Sequence, residues 1–252
     1  MENNSASRSL PLWPIDWPAE SFPVFRSLLA ALGIVFIVFL FAGAGLTVFY
    51  LLGLHDFRHA SIAQLLEVQA IVELPVLPYL ILVLPRLSGF SLRQLGFRAP
   101  SAGNIGLALA GALVMVIAVQ GFANIIEHFS KAHHEQDAIK LLKRLHGGAE
   151  YFLFVITAVV IAPLVEELTF RIFLFNAVLR RAPFLLAATC SGVLFAAAHG
   201  DLYALAPLAL GGVVLAAVYY HTRNAWCSMI THALFNGVTV VAALFLAKDS
   251  VR

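Results

Sequence analysis

The stretch YFLFVITAVVIAPLVEELTFRIFLFNAVL, residues 151–179, decides the fold, because it places two adjacent glutamates and an arginine inside an apolar run. The run is longer than the roughly 20 residues that an α-helix needs to cross a bilayer. A charged side chain at the centre of a bilayer helix costs roughly 2.5 to 3.5 kcal/mol on insertion scales. Three charges so close together predict side chains that pair with one another and face a polar protein interior.

The spacing within this run predicts different roles for the two carboxylates. Glu167 and Arg171 are four residues apart with the acid first, the favourable order for an ion pair on a helix. Glu166 points about 100° away from Glu167 around the helix axis. We therefore predict a structural Glu167–Arg171 pair and a Glu166 carboxylate that is available for chemistry.

The composition extends this interpretation to the whole chain. Of its 252 residues, 61% are hydrophobic and 12% are charged, whereas about 25% are charged in soluble domains. This balance predicts an all-α, polytopic transmembrane helical bundle of about seven spans, or eight. The lipid bilayer is then an expected partner, and the net charge of +2 gives no sign of nucleic acid.

The hydropathy pattern predicts the domain organisation. Residues 1–25 are expected to form a polar, interfacial N-terminal tail, and residues 26–252 a single transmembrane domain. The predicted spans are Ser27–Leu54, Ile62–Leu84, Ala102–Ile126, Tyr151–Leu179, Phe184–His199, Leu205–Tyr220 and Ala225–Ala247.

Two polar connectors interrupt the apolar pattern. The basic connector Arg86–Arg98 predicts a short helix at the membrane surface. Residues 127–150 contain several histidines and predict a solvated amphipathic helix, with a histidine metal site as the alternative. Short basic loops, which count most for the positive-inside rule, favour a cytoplasmic N-terminus and a cytoplasmic Arg86–Arg98 connector.

Polar side chains recur on single faces of two later spans. Phe195 and His199 are four residues apart near the end of the fifth span, and His232 and Asn236 are four apart in the seventh. Residues with this spacing project from one face of a helix. Polar groups in lipid need partners, so we expect these faces and Glu166 to meet around one intramembrane active-site cavity.

These residue types limit the chemistry. A free carboxylate with a nearby histidine can deprotonate a water molecule as a general base. A second histidine with an asparagine can donate hydrogen bonds to a developing oxyanion. The set therefore suits amide hydrolysis by activated water. The same side chains could instead ligate Zn²⁺, although the H-E-x-x-H zinc motif is absent from the sequence.

Three motifs together resemble those of the CAAX-protease and bacteriocin-processing (CPBP, or Abi) family of intramembrane endopeptidases. They are Glu166-Glu167-x-x-x-Arg171, Phe195-x-x-x-His199 and His232-x-x-x-Asn236, within about residues 150–240. The resemblance implies that Glu166 and His199 activate water and that His232 and Asn236 stabilise the oxyanion. It implies supporting roles for Glu167, Arg171 and Phe195.

The resemblance also implies a partner, and the short chain with its compact loops indicates a prokaryotic location. The expected substrate is a peptide or protein, lipidated or membrane-bound, and the expected location is the inner membrane of a prokaryotic cell. A metal-free reaction is favoured, and a zinc-dependent version of the same protease is the first alternative. A non-catalytic immunity or scaffold protein of the same fold is the second, and a transporter or channel that uses the buried charges is the third.

Overall fold

The computed structural model describes residues 78, 81, 82, 91–131, 137–145, 147–179 and 182–249. All regular structure in these ranges is helical. The longer helices are α1 (Ala102–Ser130), α2 (Asp137–Leu142), α3 (Gly148–Leu179), α4 (Phe184–Ala198), α5 (Leu205–Thr222) and α6 (Ala225–Asp249). The predicted tail, the first predicted span and most of the second lie outside the described residues.

Four of these helices can cross a membrane by length and composition. They are α1, α3, α5 and the Ala225–Phe245 part of α6. Helix α4 is apolar but has only 15 residues, so it rises about 22 Å, less than the thickness of a hydrocarbon core of about 30 Å. The described part of the chain therefore confirms an all-α integral membrane protein.

Helix α3 contains two π-helical stretches, one on each side of the two glutamates. Its α-helical turns are Gly148–Ile156, Ala162–Glu167 and Asn176–Leu179, and π-helical stretches occupy Thr157–Ile161 and Leu168–Phe175. A change from i→i+4 to i→i+5 bonding disturbs the backbone ladder, and such stretches are frequent at functional sites. Glu166 and Glu167 therefore lie on a short α-helical segment between two π-helical stretches.

Side chains of neighbouring helices bond to carbonyls in these π-helical stretches. The Ser191 hydroxyl on α4 donates to the Phe170 carbonyl at 2.8 Å. The Asn236 amide on α6 donates to the Ala158 carbonyl at 2.7 Å. Because a buried carbonyl without a partner is costly, these two bonds stabilise the unusual winding and fix α3 between α4 and α6.

Helices α4 and α5 approach each other at a glycine pair. A Cβ atom on Gly212 would lie 2.5 Å from the Gly192 Cα, and one on Gly192 would lie 2.5 Å from the Ala209 carbonyl oxygen. Small residues permit such close contact between membrane helices. Helix α5 packs on α1 and α6 as well, so it holds α4 close to the remaining helices.

The basic connector forms a turn over its described part, residues 91–98, with a buried centre and exposed arginines, so the prediction of a helix is wrong there. Leu95 exposes only 1% of its surface and packs in the core with Leu168 of α3. Gly96 has a φ of +96°, which favours glycine, and its carbonyl accepts a hydrogen bond from the Ala225 N–H at 3.0 Å. This tertiary contact adds to the local bonds of the turn, such as the one from the Leu95 N–H to the Ser91 carbonyl at 3.1 Å.

The segment between α1 and α3 contains the predicted amphipathic helix in its described part. Leu142 and Leu145 are buried against Phe154 of α3 and Val240 of α6, while Lys143 is exposed. The segment therefore packs on the bundle with its apolar side. His133 and His134, two of the histidines in the alternative metal site, lie outside the described residues.

Candidate active site

His232 of α6 lies buried between the two adjacent glutamates of α3. Its Nδ1 is 3.1 Å from Oε1 of Glu167, and its Nε2 is 3.6 Å from Oε2 of Glu166. The first and third motifs are therefore joined by direct contacts. The sequence pattern predicts only an Arg171 partner for Glu167, so the Glu167–His232 contact is a new feature of the site.

The Glu167 carboxylate requires a proton on the Nδ1 of His232. Glu167 also faces the guanidinium of Arg171, and an ionised carboxylate can only accept hydrogen bonds. The His232 Nδ1 must then donate to Glu167. The other nitrogen, Nε2, is turned toward Glu166 and away from this bond.

Glu167 and Arg171 form the ion pair that their spacing predicts. The Arg171 Nε lies 3.4 Å from the Glu167 Oε2, and both side chains have 0% exposure. Arg171 Nη2 also donates to the Gly212 carbonyl of α5 at 3.3 Å. A buried charge is stable only when it is paired, so this pair sets the position of Glu167 and connects α3 to α5.

The Phe195 ring joins the second motif to the other two. The Arg171 Cζ lies 4.6 Å from the centre of this buried ring, within cation–π range. The rings of His232 and His199 meet it edge to face at centroid distances of 5.5 and 4.8 Å. Phe195 therefore positions three polar side chains, whereas its spacing from His199 indicates only one neighbour.

His199 lies at the C-terminal end of α4, exposed on the surface of the described residues. Its Nδ1 is 2.9 Å from the Phe195 carbonyl oxygen. Because a carbonyl only accepts, Nδ1 carries a proton, and in the neutral imidazole Nε2 then has the lone pair. The resemblance implies that His199 acts together with Glu166. In the structure, the His232 imidazole contacts Glu166, and His199 packs on the Phe195 ring, which also contacts His232.

Asn236 lies one helical turn beyond His232 and is half-buried. Its Nδ2 donates to the Ala158 carbonyl. A side-chain amide nitrogen carries two N–H groups, and this bond uses one of them. The contact fixes the position of the amide beside the α3 segment that carries the glutamates.

A polar line on α6 faces the site, and the motifs reveal only part of it. Ser228, His232 and Asn236 are spaced four residues apart, so they share one face of the helix. The buried Ser228 hydroxyl lies beside the Glu167 carboxylate and donates to the Ala225 carbonyl at 3.1 Å. Its spacing from His232 is the signal that could have identified it.

The two carboxylates differ in their access to solvent. The Glu166 side chain is 26% exposed, and that of Glu167 is 0% exposed. Part of the Glu166 side chain is therefore accessible, whereas protein encloses Glu167 completely. The buried Glu167, paired with Arg171, is the structural carboxylate that the spacing predicts, and the availability of Glu166 for chemistry stays a prediction.

The side chains of the site are positioned differently from the ligands of a preformed metal site. The described ranges contain no group of three or more His, Cys, Asp or Glu side chains placed to hold one. Zinc would need ligands such as Glu166, His199 and His232 in tetrahedral geometry. His232 instead contacts both glutamates, so these side chains would have to rearrange to form such a site.

Residues 148–238 match the family described as type II CAAX prenyl endopeptidase Rce1-like, which confirms the resemblance that the three motifs indicate. The chain is 27% identical over 139 residues, 54% of its length, to YdiL of Bacillus subtilis (strain 168), named as a candidate membrane peptidase. It is 37% identical over 99 residues, 36% of its length, to the membrane-embedded CAAX protease MroQ of Staphylococcus aureus (strain USA300). These alignments span 55% of YdiL and 40% of MroQ. No solved structure matches the chain at a significant level.

Proposed function

We propose that this chain, whose residues 148–238 match the Rce1-like CAAX prenyl endopeptidase family, is an intramembrane endopeptidase that uses Glu166 to activate water. One observation carries the proposal: a partly exposed carboxylate lies 3.6 Å from a buried imidazole between membrane-spanning helices. A buried ion pair and an aromatic ring hold these groups in place. Such a rigid polar cluster in an apolar protein suits catalysis, because pre-positioned groups need no reorganisation during the reaction.

The reaction begins with the removal of a proton from water. Glu166 is the carboxylate that water can reach, and it acts as the general base. The Nε2 of His199 has a lone pair and serves as the second acceptor for the same water. The water oxygen then attacks the carbonyl carbon of the scissile peptide bond, and the carbonyl oxygen becomes an oxyanion.

His232 and Asn236 stabilise this oxyanion. The Nδ1–H of His232 is engaged by Glu167, so donation from Nε2 requires the doubly protonated imidazolium. That form balances the local charge, because Arg171 and His232 then offset Glu166 and Glu167. The second N–H of Asn236 supplies another donor, and one such donor is worth roughly 100- to 1000-fold in rate.

Collapse of the tetrahedral intermediate completes the reaction. The carbon–nitrogen bond breaks, and the proton that Glu166 took from water passes to the leaving amine. The water oxygen remains in the new carboxyl group. No covalent bond to the enzyme forms, and Glu166 returns to its ionised state.

The substrate class follows from the position of the site. His232 is seven residues into α6, about 10 Å along the helix axis, so the scissile bond must enter the space between membrane helices. We propose a peptide or protein segment at the membrane as the substrate, lipidated or unmodified. A prokaryotic cell membrane is the proposed location, in line with the relatives from Bacillus and Staphylococcus.

Cleavage of membrane peptides by the purified full-length protein tests the function. Wild-type protein in detergent is incubated with a library of membrane-anchored peptides, and mass spectrometry identifies the products. We expect cleavage that persists in the presence of a chelator and disappears in His232→Ala. Activity lost with chelator and restored by zinc would establish the zinc-dependent alternative, and absence of cleavage by folded wild type across the library would favour a non-catalytic protein.

A further inference from the structure

One end of the helical bundle carries exposed arginines at the starts and ends of three membrane-spanning helices. Arg93 and Arg98 precede α1, and Arg223 connects α5 to α6; all three side chains are exposed. Residues 91–101 and 218–226 contain no Asp or Glu. This end of the described bundle is therefore a positively charged surface without acidic residues in these two segments.

Tertiary hydrogen bonds hold the two segments together as one surface. Arg98 Nη2 donates to the Arg223 carbonyl at 3.2 Å, and Asn224 Nδ2 donates to the Arg98 carbonyl at 2.8 Å. The contact between Gly96 and Ala225 adds a third connection. Arg223 adopts a left-handed φ of 51° at the end of α5, so the chain turns sharply here. Hydrogen bonds therefore fix the turn that contains Arg223 against the segment that contains Arg98.

An aromatic side chain places this surface at the level of the lipid headgroups. Trp226 is 42% exposed at the start of α6 and meets the Phe97 ring edge to face at 5.4 Å. Tryptophan is enriched at membrane–water interfaces. Because α1, α5 and α6 begin or end here, the exposed arginines lie where a phospholipid phosphate would be found.

The attraction of this surface for anions comes from its side chains. Side-chain caps already take up one N–H group at each of the two helix starts: Asn104 N donates to the Ser101 hydroxyl at 3.2 Å, and Trp226 N donates to the Asn224 side chain at 2.9 Å. A guanidinium group offers a planar pair of donors that matches phosphate oxygens. The arginines are therefore the groups that would recognise a phosphate.

We infer that Arg93, Arg98, Arg223 and Trp226, here named the arginine face, bind the headgroup of an anionic phospholipid. The guanidinium groups contact the phosphate, and Trp226 packs beside the upper part of the acyl chains. This binding surface is separate from the active site, since His232 lies about 10 Å deeper along α6. The inference does not depend on peptidase activity.

Lipid binding to the full-length protein in a neutral detergent tests the inference. Native mass spectrometry would measure titrations with phosphatidylglycerol, phosphatidylcholine and sodium phosphate. We expect wild type to bind phosphatidylglycerol in preference to phosphatidylcholine. Each arginine near an anionic surface contributes about fivefold in affinity, so Arg98→Gln with Arg223→Gln should weaken phosphatidylglycerol binding about 25-fold.

A charge-matched control and a second variant make the outcome decisive. Lys143→Gln with Arg144→Gln removes the same charge from exposed positions at the opposite end and should change binding less than twofold. Arg93→Gln with Arg223→Gln keeps the Arg98 side-chain hydrogen bond and should weaken binding like the first pair. Unchanged phosphatidylglycerol binding in both arginine pairs would overturn the inference. Equal binding of the two lipids, or displacement of the lipid by millimolar phosphate, would do so as well.

Discussion

Replacement of Arg171 by alanine should destabilise the folded protein before it affects any chemical step. The guanidinium is fully buried and has three partners: the Glu167 carboxylate at 3.4 Å, the Phe195 ring at 4.6 Å and the Gly212 carbonyl at 3.3 Å. Alanine removes all three contacts. The Glu167 carboxylate then stays buried without its guanidinium partner.

The size of the effect follows from these contacts. Breaking a buried ion pair by removing one partner costs about 3 to 5 kcal/mol, and a desolvated cation–π contact adds about 2 kcal/mol. A loss of 1 kcal/mol lowers Tm by about 2 to 4 °C for a chain of this size. The two contributions together come to about 5 to 7 kcal/mol, so we expect Arg171→Ala to lower the melting temperature by about 10 to 28 °C.

Thermal unfolding of the purified protein in detergent measures this effect, with Arg223→Ala as a matched control at an exposed arginine. The double variant Glu167→Gln with Arg171→Gln removes both buried charges and should lose less stability than the two single variants combined. The expected coupling energy is about 0.5 to 3 kcal/mol. Wild-type melting of Arg171→Ala, or additive effects in this cycle, would refute the structural role of the pair.

Three further variants address neighbouring parts of the site. Asn236→Ala should lower kcat by roughly 100- to 1000-fold and leave a measurable residual rate; complete inactivity in a folded protein would contradict its role as one donor among several. Phe195→Leu should lower both Tm and kcat, because it removes the ring that contacts Arg171 and both histidines, and normal kinetics would exclude a positioning role. Gly212→Ala should lower Tm by several degrees, since its Cβ would lie 2.5 Å from the Gly192 backbone, and an unchanged Tm would show that α4 and α5 can separate without cost.

Local helical geometry accounts for what the sequence predicts correctly. The composition indicates a helical membrane protein, and the spacing of Glu167 and Arg171 indicates their ion pair, because both depend on residues near each other in the chain. The positions of His232 and Asn236 on one face of α6 follow from the same periodicity. The shared face of Phe195 and His199 follows likewise.

Contacts between helices account for what the sequence does not reveal. The spacing of Glu167 does not show that His232, distant in the chain, donates to it, because that contact depends on how α3 and α6 pack. The π-helical stretches also depend on partners from other helices, such as Ser191. The connector around Gly96 has the composition of a surface helix, yet its contact with Ala225 favours a turn.

Turnover by Glu166→Gln compared with wild type tests the central proposal most directly. The substitution keeps the size of the side chain and removes the base. The matched control is Glu127→Gln, which removes a carboxylate on α1 outside the three motifs. The Glu166→Gln protein should bind a peptide that wild type cleaves with a similar Kd, and it should melt at a similar temperature. Its cleavage of that peptide should fall to background, whereas Glu127→Gln should cleave it normally. Cleavage by well-folded Glu166→Gln at a rate near that of wild type would contradict the assignment of Glu166 as the base.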